Sequence, residues 1–273
     1  MNHRTPIYKA TPLYPFSFPP YSPITHKMLV FSLENSDTFL DALYLLSRFR
    51  ENANIEWSPS MFSLTVPHHY IELNVAFQMM PQFFNHFFSN NTHISKIHLQ
   101  PLFYTIKSMK EYQYSSMSVF VFKNLERLLI KFYSPRDELP LIRKFEVRYA
   151  VYEDFGNVDF EIFVSIDSLQ FRHIIQECRD YMVRVTPTHS HVRFCNEVKE
   201  FIFAKEAGEC IIEGVGKGPA VEFLIPVYPT HVYYNITFQA QRVWLFKSVD
   251  KCGTFIIAPV GLFAQFAIYF PLG

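Results

Sequence analysis

Glycine is scarce in this sequence, and several common functional signals are absent. The 273 residues include 8 glycines against 18 prolines, which argues against a nucleotide-binding fold with glycine-rich phosphate loops. The 4 cysteines form no CxxC pair and follow no secretory leader pattern, so we expect a reduced, intracellular protein. Basic and acidic residues balance at 25 each, so the net charge indicates neither nucleic acid nor membrane. The longest apolar stretch, 253–273, is interrupted by Pro259 and Gly261, a pattern typical of buried strands.

The composition is instead strongly apolar and aromatic. Hydrophobic residues make up 49% of the chain, aromatic residues 18% and charged residues 18%, which excludes a chain that is disordered or fibrous throughout. The length favours two domains. Residues 1–26 are rich in proline and tyrosine, and because proline removes backbone donors we expect a disordered tail there.

Helical and strand-like patterns alternate along the rest of the chain. A strand at Lys27–Leu33 precedes a helix that Ser36 or Asp37 caps, and a second helix is predicted at about Gln100–Tyr112. Between them, β-rich runs broken by prolines predict short antiparallel strands at Ile55–Ser58, Met61–Val66 and Tyr70–Gln78.

The same order of elements returns in the second half of the chain. Three pairs of segments align: Phe39–Phe49 with Phe171–Tyr181, Ile55–Val66 with Val183–Phe194, and Lys107–Met109 with Lys247–Val249. The last pair predicts a fourth helix around residues 242–251. We therefore predict an α+β fold with two similar domains at 27–142 and 160–273, joined by a crossover at 143–159.

Short motifs in both halves carry a family resemblance. In the first half they are Leu46–Phe49 (LSRF), Asn54–Trp57 (NIEW), Phe83–Phe87 (FFNHF), Arg127–Phe132 (RLLIKF) and Arg143–Tyr149 (RKFEVRY). In the second half they are Ser165–Phe171 (SIDSLQF) and, in the crossover, Glu153–Gly156 (EDFG). Residues 27–270 resemble the DNA sliding clamp superfamily. The first set is most similar to the Rad nine subunit of the nine-one-one DNA-damage checkpoint clamp, and the second is equally similar to the replicative clamp, PCNA.

The resemblance implies two tandem sliding-clamp domains, with antiparallel sheets outside and four helices on the inner face of a ring around duplex DNA. It implies a nuclear, non-enzymatic subunit of a heterotrimer that acts in the DNA-damage checkpoint and in DNA repair, without a cofactor. The implied partners are the other two clamp subunits (the Rad one and Hus one types), a clamp loader, double-stranded DNA, and repair and checkpoint proteins; a membrane is not among them. A replicative PCNA-like processivity clamp is one alternative, and an intracellular small-molecule enzyme with a β-rich core is another.

The sequence departs from the clamp pattern after the segment Phe263–Phe270. In both clamp families another strand follows the segment that this one resembles, so we expect the second domain to lack a final strand and to leave a sheet edge unpaired. The long phosphorylatable tail of the checkpoint subunit is also not present in this sequence, which puts tail-dependent signalling in doubt.

Basic residues on exposed helix faces are the predicted contacts with DNA phosphates. The candidates are Arg48, Lys107, Lys110, Arg172, His173, Arg179, Arg242, Lys247 and Lys251. Acidic residues are almost as numerous on the same helices, so ordinary solvated helix faces are the alternative interpretation that charge alone favours.

The crossover supplies the candidate partner-binding residues Tyr149, Val151, Phe155 and Val158. The alternative is that these apolar side chains only hold the crossover against its own sheets. No arrangement of nucleophile, base and acid rises above background, and His189 and His191 lack a third metal ligand, so we predict neither an enzyme nor a metal site.

Overall fold

The computed structural model describes residues 27–67, 73–122, 127–150, 155–179, 182–216, 221–250 and 253–271. These residues form an α+β fold, as the sequence predicts, and the paired strands are antiparallel. The first half contains β1 (Lys27–Leu33), α1 (Asp37–Ser47), β2 (Asn52–Ser58), β3 (Met61–Pro67), β4 (Asn74–Met79), a 3₁₀ helix (Pro81–Phe83), β5 (His86–Ser89), β6 (His93–His98), α2 (Leu99–Glu111), β7 (Ser116–Phe122), β8 (Arg127–Tyr133), β9 (Leu141–Glu146) and β10 (Arg148–Tyr149).

The described residues of the second half repeat this order, and among them no element corresponds to the 3₁₀ helix or to β10. It contains β11 (Val158–Asp167), α3 (Ser168–Glu177), β12 (Met182–Pro187), β13 (His191–Cys195), β14 (Glu200–Ala204), β15 (Cys210–Glu213), β16 (Phe223–Pro226), α4 (Thr230–Thr237), β17 (Arg242–Ser248), β18 (Gly253–Val260) and β19 (Ala264–Pro271). We refer below to β1–β9 with α1 and α2 as the first unit, and to β11–β19 with α3 and α4 as the second unit.

The strand order of the sheets is the same in the two units. The first unit has a five-stranded sheet in the order β5-β1-β7-β8-β9 and a four-stranded group in the order β6-β2-β3-β4. The second unit has β15-β11-β17-β18-β19 and β16-β12-β13-β14, which are the corresponding strands in the corresponding order. One topology therefore occurs twice in the chain.

The two units share one sheet. Strand β4 of the first unit pairs with β19 of the second from Met79 opposite Ala264 to Asn74 opposite Tyr269, which produces a ten-stranded sheet. Across this junction the rings of Phe77 and Phe266 lie 4.8 Å apart, and both side chains are buried.

This junction corrects the expected missing strand. Strand β19 occupies the place in the second unit that β9 occupies in the first, so the second unit has every sheet strand of the first. The edge of β19 is paired with β4 rather than open. The connection between the units is also shorter than predicted, because residues 143–146 belong to β9 and Val158 begins β11.

Each helix has an apolar stripe, and α3 also has a side-chain cap. In α1 the buried residues Phe39, Ala42, Leu43 and Leu46 follow the helical period. At the start of α3, a carboxylate oxygen of Asp167 accepts hydrogen bonds from the backbone amides of Leu169 at 2.8 Å and Gln170 at 3.3 Å. The predicted positions of α1, α2 and α3 are confirmed within a few residues.

The predicted fourth helix around residues 242–251 is wrong. Residues Arg242–Ser248 form strand β17, between β11 and β18, and the fourth helix lies earlier, at Thr230–Thr237. The sequence of this helix, THVYYNIT, is rich in β-branched and aromatic residues, which favour strands when they are considered locally. Tertiary packing overrides that preference, because Val232, Tyr233 and Ile236 are buried in the core.

A second apolar cluster lies on the face of the ten-stranded sheet opposite the main core. Successive residues of β18 alternate between the two: Ile256 and Ala258 belong to the core, and Phe255 and Ile257 to the second cluster. The second cluster consists of Phe246, Phe255, Ile257, Ala267 and Tyr269. Main core and second cluster therefore mark the two faces of this sheet.

Candidate nucleic-acid interface on the helices

The four helices lie side by side and form one row. Helix α1 packs against α2, and α3 packs against α4. The two pairs meet where Gln239 Nε2, just after α4, donates to Asp41 Oδ2 of α1 at 3.1 Å, and where the rings of Phe49 and His231 lie 6.0 Å apart. The row therefore runs α2-α1-α4-α3 across both units, and we call its exposed side the helical face.

Six of the predicted DNA-binding residues lie on or just after these helices. The side chains of Arg48, Lys107, Lys110, His173 and Arg179 are exposed, and that of Arg172 is partly buried. Arg48 and Arg179 follow the last turns of α1 and α3, where a positive charge interacts favourably with the helix dipole.

The acidic side chains of the helical face are mostly engaged by partners. Asp37 forms an ion pair with Lys110, and Glu177 forms one with Lys199, whose hydrogen bond and charge lower the pKa of the Glu177 carboxyl. Asp41 accepts the hydrogen bond from Gln239. In the described part of the chain, Arg48, Lys107, Arg172 and Arg179 form no ion pair with a carboxylate. Four cations at this face therefore lack carboxylate partners among the described residues, while the exposed Asp41 and Glu111 keep their negative charges.

Arg172 also connects the two helices of the second unit. Its guanidinium donates to the backbone oxygen of Thr237, the last residue of α4, at 2.8 Å, and lies 3.4 Å from Ser168 Oγ. The same group lies 5.7 Å from the ring centroid of Tyr234 and 5.6 Å from that of Phe238, both at cation–π distance. These contacts hold the guanidinium in a fixed orientation. Part of its surface remains exposed at the helical face.

Two further predicted DNA contacts, Arg242 and Lys247, lie on a strand instead of a helix. Arg242 lies on β17, where Nε donates to Ser165 Oγ at 3.0 Å and a terminal nitrogen donates to Ser165 O at 2.9 Å. Lys247, also on β17, is 8% exposed, with its Nζ 5.9 Å from the ring centroid of Phe223. The predicted position of both residues on an exposed helix face is wrong, because residues 242–248 form a strand, and their side chains contact neighbouring strands. Lys251 lies outside the described residues.

The aromatic residues of the helical face were not among the predicted site residues. Tyr44, Tyr104, Tyr234 and Phe238 are all exposed. The ring of Tyr44 lies 5.5 Å from that of Phe103, which lies 5.2 Å from Tyr104. The helical period contains a signal for three of them, because Tyr44, Tyr104 and Tyr234 lie off the buried stripes of their helices.

The predicted partner-binding residues separate into two environments. Phe155 packs 6.0 Å from the rings of both Phe255 and Tyr269, and Val158 packs on the same second apolar cluster. These contacts favour the interpretation that the two residues hold the connection against its own sheet. Tyr149, on the two-residue strand β10, is 87% exposed and remains available to a partner. Val151 lies outside the described residues.

A cavity of about 380 Å³ lies beside the end of α1 and strands β2, β3 and β6. Its described lining contains the charged residues Arg50, Glu51 and Lys96 together with Asn52 and Asn54. These described lining residues include no serine, cysteine or histidine. The cavity is therefore a polar recess rather than an arrangement of nucleophile and base.

Within the described ranges, no three His, Cys, Asp or Glu side chains are grouped closely enough to hold a metal ion, and no helix is long and apolar enough to cross a membrane. His191 Nδ1 instead lies 3.0 Å from Thr188 Oγ1 and 3.1 Å from Ser190 Oγ. Comparison with known proteins finds neither a family model nor a curated protein that matches the chain.

Proposed function

We propose that this chain is a subunit of a ring-shaped DNA sliding clamp that encircles duplex DNA in the DNA-damage checkpoint and in repair. The observation that carries the proposal is the junction between β4 and β19 in a chain whose topology is repeated. That junction joins the four-stranded group of one unit to the five-stranded sheet of the next unit.

The repeat defines which strands would join one subunit to another. The counterpart of β4 in the second unit is β14, and the counterpart of β19 in the first unit is β9. Both β14 and β9 are edge strands of their sheets. If β9 of one subunit pairs with β14 of the next, the internal junction is repeated between chains. Such head-to-tail contacts produce a closed ring when the rotation between subunits closes.

The backbone of β14 offers hydrogen-bonding groups for this pairing. Asn196 N donates to Lys199 O at 3.0 Å and Lys205 N donates to Ser190 O at 2.8 Å, which fixes the alternation of bonds along the β13–β14 pair. The backbone groups of Glu200 and Ile202 consequently point away from β13. At the end of the strand, Ala204 N is satisfied by the carboxylate of Glu209 at 2.8 Å.

Both free edges carry charged side chains. Strand β9 carries the exposed Arg143, Lys144 and Glu146, and β14 carries Glu200, which forms an ion pair with Arg193 at 3.2 Å. Charges on an open edge protect an isolated chain against non-specific strand pairing. The paired positions of β4 and β19, in contrast, are all uncharged.

The helical face would then face the DNA. Its cations without carboxylate partners would contact phosphates, which gives affinity without sequence preference. The opposite side of the ten-stranded sheet, with the second apolar cluster, would be the outer face on which repair and checkpoint proteins dock. We assign the chain to the nucleus, in a heterotrimer with subunits of the Rad one and Hus one types, because that is the subunit type its first half resembles.

Assembly tests this proposal directly. Co-expression with subunits of the Rad one and Hus one types is expected to yield a 1:1:1 complex by light scattering after gel filtration. Ile202→Pro removes an outward backbone donor from β14 and is expected to weaken the complex, whereas Ile202→Thr keeps that donor and is the matched control. A chain that remains a monomer with both subunits, or a complex that Ile202→Pro leaves unchanged, would refute the edge-to-edge assembly.

The DNA contact has a separate test in the assembled ring. Lys107→Ala with Arg179→Ala is expected to weaken duplex binding and to reduce the slope of log affinity against log salt by roughly 0.9 per lost contact. Arg184→Ala is the control, because this exposed arginine alternates with the buried Val183 and Val185 and so lies on the opposite side of its sheet. An unchanged salt slope in the double variant would show that other subunits hold the DNA.

A further inference from the structure

The helical face exposes more aromatic surface than helix packing requires. The exposed fractions are 63% for Tyr104 and 65% for Phe238, and Tyr44 and Tyr234 are also exposed. Exposed apolar groups that gather at one face commonly mark a binding surface. Contacts with duplex phosphates need only cations, so the proposed role of this face in duplex binding does not account for the rings.

The rings occur together with cations in two clusters, one in each unit. The first aromatic cluster consists of Tyr44, Phe103 and Tyr104, with the Arg48 guanidinium 5.9 Å from the Tyr44 ring centroid. The second aromatic cluster consists of Tyr234 and Phe238, whose ring centroids lie 6.4 Å apart, with Arg172.

In the second cluster the Arg172 guanidinium is fixed by Thr237 O before any ligand arrives. A fixed cation next to two exposed rings forms a preorganised site for a group that carries both a negative charge and a flat apolar face.

We propose that these two clusters bind single-stranded DNA, with unpaired bases stacked on the rings and the backbone phosphates at Arg48, Lys107 and Arg172. Sites for single strands combine cations along the backbone with aromatic side chains on which bases stack. The bases of a duplex are already stacked on one another and do not offer their faces. This inference rests on the proposed function only in taking the helical face as the nucleic-acid face.

The charges of the clusters favour a nucleic acid over a second copy of this chain. Two copies that met through their helical faces would bring Arg48, Lys107 and Arg172 toward the same cations of the other copy. These cations form no ion pair with a carboxylate within the described chain, so the repulsion would not be relieved there. A phosphate backbone supplies the opposite charge.

The test measures the binding of the full chain to a fluorescent 30-nucleotide oligo-dT and to a 30-base-pair duplex by anisotropy. Phe238→Ala and Tyr104→Ala are each expected to weaken oligo-dT binding by about 5- to 150-fold, the range for one lost stacked base. They should leave duplex affinity and the salt slope unchanged. Tyr104→Phe keeps the ring and is expected to bind oligo-dT like the wild type.

Phe160→Ala is the matched control for an exposed ring. Phe160 is 68% exposed, and its ring packs 5.4 Å from that of Phe246 in the second apolar cluster, on the other side of the sheet. It should bind oligo-dT like the wild type. Lys107→Ala should weaken both ligands and lower the oligo-dT salt slope by roughly 0.7.

Three results would overturn the inference: oligo-dT affinity that neither Phe238→Ala nor Tyr104→Ala changes, an equal loss in Phe160→Ala, or tighter binding of oligo-rU than of oligo-dT. Loss of a concentration-dependent self-association in Phe238→Ala, with oligo-dT affinity unchanged, would instead show contact with a second copy. These outcomes are independent of ring assembly, so a failure of the proposed function in the Ile202→Pro experiment is distinguishable from a failure here.

Discussion

The junction between β4 and β19 should make the two units unfold together. Phe266→Ala removes a ring that is 2% exposed and lies 4.8 Å from the ring of Phe77, which is fully buried. Truncation of a buried phenylalanine in a core costs about 3–5 kcal/mol, so we expect the free energy of unfolding to fall by that amount. Phe77→Ala should have a similar effect, and the double-mutant cycle should give a coupling of about 0.5–1.5 kcal/mol for the ring pair.

The two tryptophans of the chain allow each unit to be observed separately in this experiment. Trp57 lies on β2 of the first unit and Trp244 on β17 of the second. Urea unfolding is followed by fluorescence in Trp244→Phe, which leaves Trp57, and in Trp57→Phe, which leaves Trp244. Phe266→Ala, although it lies in the second unit, should shift both transitions by the same amount.

The result that would refute this reasoning is a shift confined to the Trp244 signal. It would mean that the first unit keeps its stability when the second unit is destabilised. The shared sheet would then not couple the unfolding of the two units. Phe160→Ala, which truncates an exposed ring, is the control and should change the free energy of unfolding by no more than about 0.5 kcal/mol.

Three further predictions concern single positions. Asp167→Ala removes the side-chain cap of α3 and should cost about 0.5–2 kcal/mol in urea unfolding, whereas Ser36→Ala should cost much less, because Ser36 makes no side-chain hydrogen bond at the start of α1. Burial lowers the pKa of His93 below its ordinary value of 6.5, so the unfolded chain binds a proton more readily than the folded chain. The free energy of unfolding should therefore fall as the pH drops below 6.5. His93→Gln should flatten that dependence, which urea titrations at several pH values would measure. Gly214→Ala places a Cβ 1.9 Å from the backbone oxygen of Glu161 at a φ of +74°, so thermal unfolding should show a loss of more than about 1 kcal/mol, and an unchanged midpoint would contradict the local geometry.

The sequence predicts a helix best where its apolar stripe is regular, and α2 lies within one residue of its predicted bounds although no side chain caps it. Helices α1 and α3 have both a clear helical period and a polar residue at the start, and both were predicted near their observed positions. Helix α4 has neither an acidic cap nor helix-favouring residues, so its local sequence indicates a strand, and only the packing of residues such as Tyr233 makes it helical.

The candidate site was predicted in part for the same reason. The positions of Lys107 and Arg179 follow from the helical period, which is a local property. The helical period cannot predict contacts between helices. The ion pair of Lys110 with Asp37 and the hydrogen bond from Arg172 to Thr237 are contacts of this kind. Arg242 and Lys247 were misplaced because a strand was taken for a helix.

The junction of the shared sheet also has a consequence for the synthesis of the chain. Gln78 on β4 and its partner Gln265 on β19 are 187 residues apart in the sequence. At the usual rate of translation, the first half leaves the ribosome roughly 10 to 40 s before the strand that completes it. During that interval, one edge of β4 has backbone groups without hydrogen-bond partners, and the same strand carries the apolar Phe77. The growing chain is therefore most exposed to misassembly on the ribosome, and we expect its yield to depend on chaperones that cover this strand until β19 has been made.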